Sequence, residues 1–234
     1  MSAESEVKLG WRDVARFVVF AVATPLVLFL GAGSFNWPMA WVYLVLHVSV
    51  VIGSRLLVYR RNPALLAERG RSLHAEDAAP GDRFLSLFVG LLGSLLVWLV
   101  AGLDRRFGWS PPVAVGWQVA ALAVVTAGYL LGTWAMVVNA FFSAVIRIQA
   151  ERGQTVVRSG PYRFVRHPAY AGGLWSALAM PVMFGSYWAF IPAGATFLAL
   201  IVRTSVEDRL LQQALPGYRD YTRETRYRLL PGIW

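Results

Sequence analysis

The 35 residues from 168 to 202 contain no charged side chain. Backbone groups in hydrocarbon must be hydrogen-bonded internally, so such a run can enter a bilayer only as helix. A spanning helix needs about 20 apolar residues, which makes this stretch long for one span and short for two. Gly185-Ser186 falls near its middle and predicts two short helices in a hairpin, with a single tilted helix as the alternative. Comparable runs occupy 17–35, 37–54, 84–103 and 113–138. The expectation is an all-α, polytopic membrane helix bundle with about six transmembrane helices, five if the last run is a single one. A charged fraction of 15% and a mean hydropathy of +0.51 agree, because soluble domains carry about 25% charged residues. The first apolar run is too long for a signal-peptide core and has no small-residue cleavage site, so no cleaved leader is expected.

The net charge of +9 could suggest nucleic acid, but the arginines sit between apolar runs rather than on a polar surface. They follow the positive-inside rule instead. Lys8, Arg12 and Arg16 precede the first run, and six arginines lie between 55 and 83. Arg147, Arg152, Arg158, Arg163 and Arg166 follow the fourth run, and six more arginines lie from 203 to 228. The opposite side carries Arg105 and Arg106. An even number of crossings with both termini and the active site cytoplasmic fits this pattern. The organisation expected is a four-helix transmembrane region over 1–138, with a cytoplasmic loop at 59–83. A catalytic, cofactor-binding region follows over 139–234, with the helical hairpin 168–202 and an interfacial C-terminal tail whose aromatic and basic residues would lie on lipid headgroups.

The chemistry concentrates where the last uncharged run begins, at Gly160-Pro161-Tyr162-Arg163-Phe164-Val165-Arg166-His167-Pro168-Ala169-Tyr170-Ala171-Gly172. Proline suits the first helical position and disfavours helix at the residue before it, so a helix opens at Pro168. Its unpaired N–H groups and positive dipole end would face the Arg/His cluster and hold an anion. A hairpin would return the chain to the same side and bring Arg203, Glu207 and Asp208 beside this corner. Arg203 and Glu207, four apart, share a helix face, and ionisable groups at the bilayer edge usually serve a function. Asp208 reads as a solvated neighbour, and Arg158 and Arg163 as determinants of topology. His47 reads as a packed bundle histidine, and no histidine has a partner at metal-ligand spacing. With no cysteine in the chain, thiolate metal sites and cysteine nucleophiles are excluded, and no phosphate-binding glycine loop or nucleophile elbow is present. The Gly172-Gly173 pair suggests close helix packing.

The motif at 160–172, with Arg203, Glu207-Asp208 and the Pro216-Gly217-Tyr218 tail with its second tyrosine, Tyr221, resembles the isoprenylcysteine carboxyl methyltransferase family of integral membrane enzymes. The resemblance is strong from about Gln149 onward and weaker at 60–69. It implies S-adenosylmethionine as cofactor, with contacts from Gln149, Gln154, Thr155, Val156, Val157, Tyr162, His167, Pro168, Ala169, Tyr170 and Glu207. Arg203 would face the methyl acceptor as the catalytic and substrate-binding residue, and the cofactor's carboxylate would sit near Arg166 and His167. The acceptor implied is the carboxylate of a lipophilic, isoprenylcysteine-type molecule entering from the bilayer; no metal is implied. Gln154 stands where the family usually has histidine, so a neutral amide replaces a group that can become cationic. Phospholipid N-methylation is an alternative activity, and a small transporter or scaffold a non-enzymatic one.

Overall fold

A computed structural model describes residues 21–22, 24–72, 79 and 81–234. Eight α-helices make up the described chain: α1 (Val27–Ala32), α2 (Pro38–Arg61), α3 (Pro63–Ser72), α4 (Asp82–Phe107), α5 (Val115–Val138), α6 (Pro168–Phe184), α7 (Phe190–Ala214) and α8 (Tyr218–Glu224). No strand occurs among the described residues. The protein is an integral membrane helix bundle. Of these helices α2, α4, α5 and α7 are long and apolar enough to cross a bilayer, where about six spans are expected from the sequence. The difference lies in two places. The expected span at 17–35 is partly outside the described residues, and within them it contributes helical residues 21–22, a 3-10 turn over Thr24–Leu26 and the six residues of α1. The first arm of the hairpin, α6, is a helix of 17 residues.

The stretch 168–202 does fold as a hairpin. Gly185, at φ +70°, makes the left-handed turn that a residue with a Cβ rarely adopts. At that end of the bundle the buried Asp104 carboxylate accepts hydrogen bonds from the Ser110 backbone N–H and from the hydroxyls of Ser110 and Ser186. The tip of the hairpin is thereby tied to the end of α4. The second arm runs well past the uncharged stretch to Ala214. The loop expected at 59–83 contains the helix α3, opened by Pro63.

Helices α5 and α6 approach until their backbones touch. A Cβ on Gly172 would lie 2.3 Å from the Gly128 carbonyl oxygen, and one on Gly128 would lie 2.4 Å from that of Gly172. Two glycines facing one another are what permit that approach. Gly173 is different, since a Cβ there would meet only Leu200 at 3.7 Å. Aromatic and aliphatic side chains, among them Trp37, Tyr43, Trp98, Met183 and Phe184, fill the bundle centre. His47 lies within it: its ring is 5.4 Å from that of Trp98, and its Nδ1 is 3.4 Å from the Tyr43 hydroxyl.

Candidate active site at the open end of the hairpin

The hairpin places Arg203, Glu207 and Asp208 at the same end as the His167-Pro168 corner. The Tyr170 hydroxyl donates to Glu207 Oε2 at 2.6 Å, and His167 Nε2 lies 3.2 Å from Asp208 Oδ1. Between these groups and the loop 139–167 is a cavity of about 460 Å³. Gln154, Thr155, Val156, Val157, Tyr162, His167, Pro168, Ala169, Tyr170, Arg203 and Glu207 all line it. Gln149 does not reach it. Its fully buried side chain sits behind the wall, donating to the Phe141 carbonyl at 2.7 Å and accepting from Arg152, while its backbone N–H donates to Gln154 Oε1 at 2.7 Å.

Two expectations about charge are corrected. Asp208 is not solvated; it is fully buried and is the hub of the corner. It accepts from Arg166 Nε at 2.8 Å and Nη2 at 3.2 Å, from Gln212 at 2.7 Å, from Arg228 at 2.9 Å and from the Tyr218 hydroxyl at 3.1 Å. A carboxylate removed from water needs such a set of donors. In consequence Arg166 is not free to hold an anion. Its remaining terminal nitrogen, Nη1, donates to the carbonyls of Thr225 and Arg226 at 2.9 and 2.6 Å. What the corner leaves for a ligand is the first turn of α6, whose N–H groups have no partner within the helix. Arg203 does not form the intrahelical pair with Glu207 that their spacing would allow. Its Nε lies 3.2 Å from Asp82 Oδ1 at the start of α4, and its Nη2 donates to the Ala144 carbonyl at 2.7 Å.

The tail folds against this corner of the bundle. Tyr218, Tyr221 and Leu229 are buried, and the N–H groups of Arg166 and His167 each donate at 2.9 Å to the carbonyls of Tyr227 and Arg228. Arg158 pairs with Glu224 in an exposed ion pair. The tyrosines around the cavity remain protonated donors. Burial raises Tyr162 and Tyr218, the latter also through the Asp208 charge, and pushes Tyr221 up to about 12. The Tyr221 hydroxyl donates to the Tyr162 carbonyl at 2.7 Å.

Sequence reasoning missed one wall entirely. Asn139, Phe141, Phe142, Ser143, Ala144, Val145 and Ile146 line the cavity although nothing in their composition marks them. Leu87, Gly90 and Leu91 contribute an apolar side, where α4 makes a π-helical turn over Phe88–Leu92. Asp82 was also missed. A lone acid opening an apolar run, on the side where Arg203 closes another, was the signal that could have found it. Among the described residues no group of three or more His, Asp or Glu side chains could hold a metal ion.

Four apolar spans, with a tyrosine-walled cavity at one end that carries a few charged and polar groups, define an integral membrane protein. Residues 120–213, which hold most of the hairpin and of the cavity lining, match the family model for isoprenylcysteine carboxyl methyltransferases (ICMT). The chain is also 28% identical over 135 residues to the cobalt-zinc-cadmium resistance protein CzcN of Cupriavidus metallidurans. That match covers 56% of this chain and 56% of the relative, so the chain spans about half the length of the curated protein it matches.

Proposed function

We propose that the protein is a membrane methyltransferase that uses S-adenosylmethionine to methylate the carboxylate of a lipophilic, isoprenylcysteine-type acceptor. The single observation that carries this reading is the convergence of Gln154 to Val157, Tyr162, Pro168 to Tyr170, Glu207 and Arg203 on one cavity. Its volume of about 460 Å³ falls in the range of small-molecule sites, roughly 300–1,000 Å³.

The donor and acceptor set fits the cofactor. Glu207 Oε2 is engaged by Tyr170, which leaves Oε1 to accept from ribose hydroxyls or an amino group. The N–H groups of the first turn of α6 suit a carboxylate. Tyr162, Tyr170, Tyr218 and Tyr221 line the same space, and aromatic faces favour a cation by about 0.5–2 kcal/mol. When bound, S-adenosylmethionine supplies a methyl group on a cationic sulfur. The task of the protein is alignment: holding both reactants in a near-attack pose can contribute up to roughly 7–11 kcal/mol. Arg203 holds the acceptor carboxylate, which is already ionised at neutral pH and needs no general base. The apolar side at Leu87, Gly90 and Leu91 receives the acceptor's hydrocarbon from the bilayer. The distribution of arginines supports a cytoplasmic position for this end of the bundle.

The test is calorimetry with S-adenosylhomocysteine on the purified protein and on Glu207→Ala, joined to transfer of a labelled methyl group to N-acetyl-S-farnesylcysteine in membranes. Binding weakened at least about tenfold in the variant, and label released by mild base, support the reading. Equal heats from both proteins remove Glu207 from the site. Base-stable label in lipid replaces the acceptor assignment with N-methylation of a phospholipid.

A further inference from the structure

We propose that Asp82 is a positioning residue for Arg203: it holds one edge of the guanidinium and partly neutralises it, and so sets how tightly an anionic acceptor is held. This rests on the acceptor reading above. Asp82 is 1% exposed and Arg203 5%, and Asp82 itself is not among the residues lining the cavity, whereas Arg203 is. Asp82 Oδ2 is occupied, accepting from the Ile146 N–H at 2.6 Å and from the Ser86 hydroxyl at 3.0 Å. Oδ1 faces Arg203 Nε at 3.2 Å. Yet both of these atoms are buried without a hydrogen bond: the charges are close and the geometry is wrong for a shared proton.

Two consequences follow from that contact. An Arg–carboxylate pair at its best is bidentate and uses up the planar edge of the guanidinium. Here the nearest approach of Asp82 is to Nε, Nη2 is turned to the Ala144 carbonyl and the guanidinium faces Tyr170, so the Nη1 side is not taken by Asp82. A second carboxylate can be received there without displacing the first. The shared positive charge is also worth less to that second carboxylate, since a like charge close by offsets part of the attraction in a poorly solvated site. That suits catalysis, because tight holding of the ground-state carboxylate lowers KM without speeding the chemical step. Arg203 is thereby kept in one orientation, and its grip on the nucleophile is moderated.

The experiment measures binding of N-acetyl-S-farnesylcysteine and of its uncharged amide to the detergent-purified protein, to Asp82→Asn and to Asp82→Asn/Arg203→Ala. S-adenosylhomocysteine affinity is measured alongside. Asparagine keeps an oxygen for the Ile146 N–H, removes the charge and turns an NH2 group toward Arg203. The expected result is a carboxylate-over-amide preference that rises at least about fivefold in Asp82→Asn, disappears in the double variant, and leaves S-adenosylhomocysteine affinity within about twofold of the original. With turnover, kcat and KM for the carboxylate should fall together. An unchanged preference in Asp82→Asn overturns the proposal and leaves Asp82 a structural residue. If Asp82→Asn fails to bind S-adenosylhomocysteine, Asp82→Ser, which also offers Ile146 an oxygen, is held to the same expectation and the same refutation. Binding of S-adenosylhomocysteine with no binding of either acceptor probe to the original protein rejects the acceptor reading itself.

Discussion

Replacing Gly172 by alanine should destabilise the protein, while the same change at Gly173 should not. The Cβ on residue 172 would sit 2.3 Å from a backbone oxygen of α5, and ordinary contact begins at 3.4 Å, so α5 and α6 must separate by about 1.1 Å. Neither partner is a flexible side chain that could rotate away. Overpacking of this kind costs about 1–3 kcal/mol, and the upper end applies because two backbones must move. Against it stands the gain of up to about 1 kcal/mol from alanine's helix propensity. At Gly173 the added methyl meets Leu200 at 3.7 Å, so that gain is kept. The propensity gain is common to both, so the adjacent variants should differ by the overpacking cost, about 2–3 kcal/mol, in reversible unfolding in mixed micelles. S-adenosylhomocysteine affinity should fall in Gly172→Ala alone, since α6 carries Pro168 to Tyr170 into the cavity. Equal stabilities would refute the close approach of the two helices and, with it, the placement of the corner.

Asp208→Ala strips every carboxylate partner from the buried Arg166 and should cost about 3–5 kcal/mol in the same unfolding assay; a cost under about 1 kcal/mol would show that the hub is dispensable. Gln154→His should make S-adenosylhomocysteine affinity change with pH around 6.5, the ordinary range of histidine, more steeply than in the original protein. Titrating calorimetry between pH 5.5 and 8 reads this directly. Tyr221, held protonated up to about 12, ionises near 10 once unfolded. Its contribution to stability is therefore complete below about 10 and lost as the pH climbs toward the folded value. Tyr221→Phe should shrink the loss of stability measured between pH 9.5 and 11.

The bundle was legible wherever the argument was periodic or compositional. The runs at 37–54, 84–103 and 113–138 underlie α2, α4 and α5, and Gly185 marked the hairpin turn. The lengths of the helices were less legible, because α2 and α4 continue through arginines that hydropathy treats as stops. Arg203 and Glu207 were found as ionisable groups at the edge of an apolar run, but their partners were not. Spacing within a helix allows an Arg203–Glu207 pair, yet the two groups meet partners across helices, Asp82 from α4 and Tyr170 from α6. Tertiary proximity outweighs a neighbouring position on the same helix, where such pairs are worth only about 0.2–0.5 kcal/mol. Asp208 was misread for the same reason: its donors come from residues 166, 212, 218 and 228, and most of these converge only after the tail folds back.

The two buried carboxylates at this end of the bundle are used in opposite ways, and that difference can be measured. Asp208 is surrounded by donors, and a fully satisfied network of this kind holds one geometry. The Asp82–Arg203 contact leaves facing atoms unpaired, and unmade hydrogen bonds in a buried site cost about 1–3 kcal/mol each. A pair retained for stability would not be left in that state. Arg203→Met alone should therefore be strongly destabilising, about 3–5 kcal/mol, because it strands a buried charge on Asp82. Adding Asp82→Asn to it removes that charge and keeps an acceptor for the Ile146 N–H, so the double variant should return to within about 1 kcal/mol of the original. It should do so without recovering binding of a carboxylate acceptor. A double variant as unstable as Arg203→Met alone would mean that the pair holds the fold together, and the functional account of both residues would have to be given up.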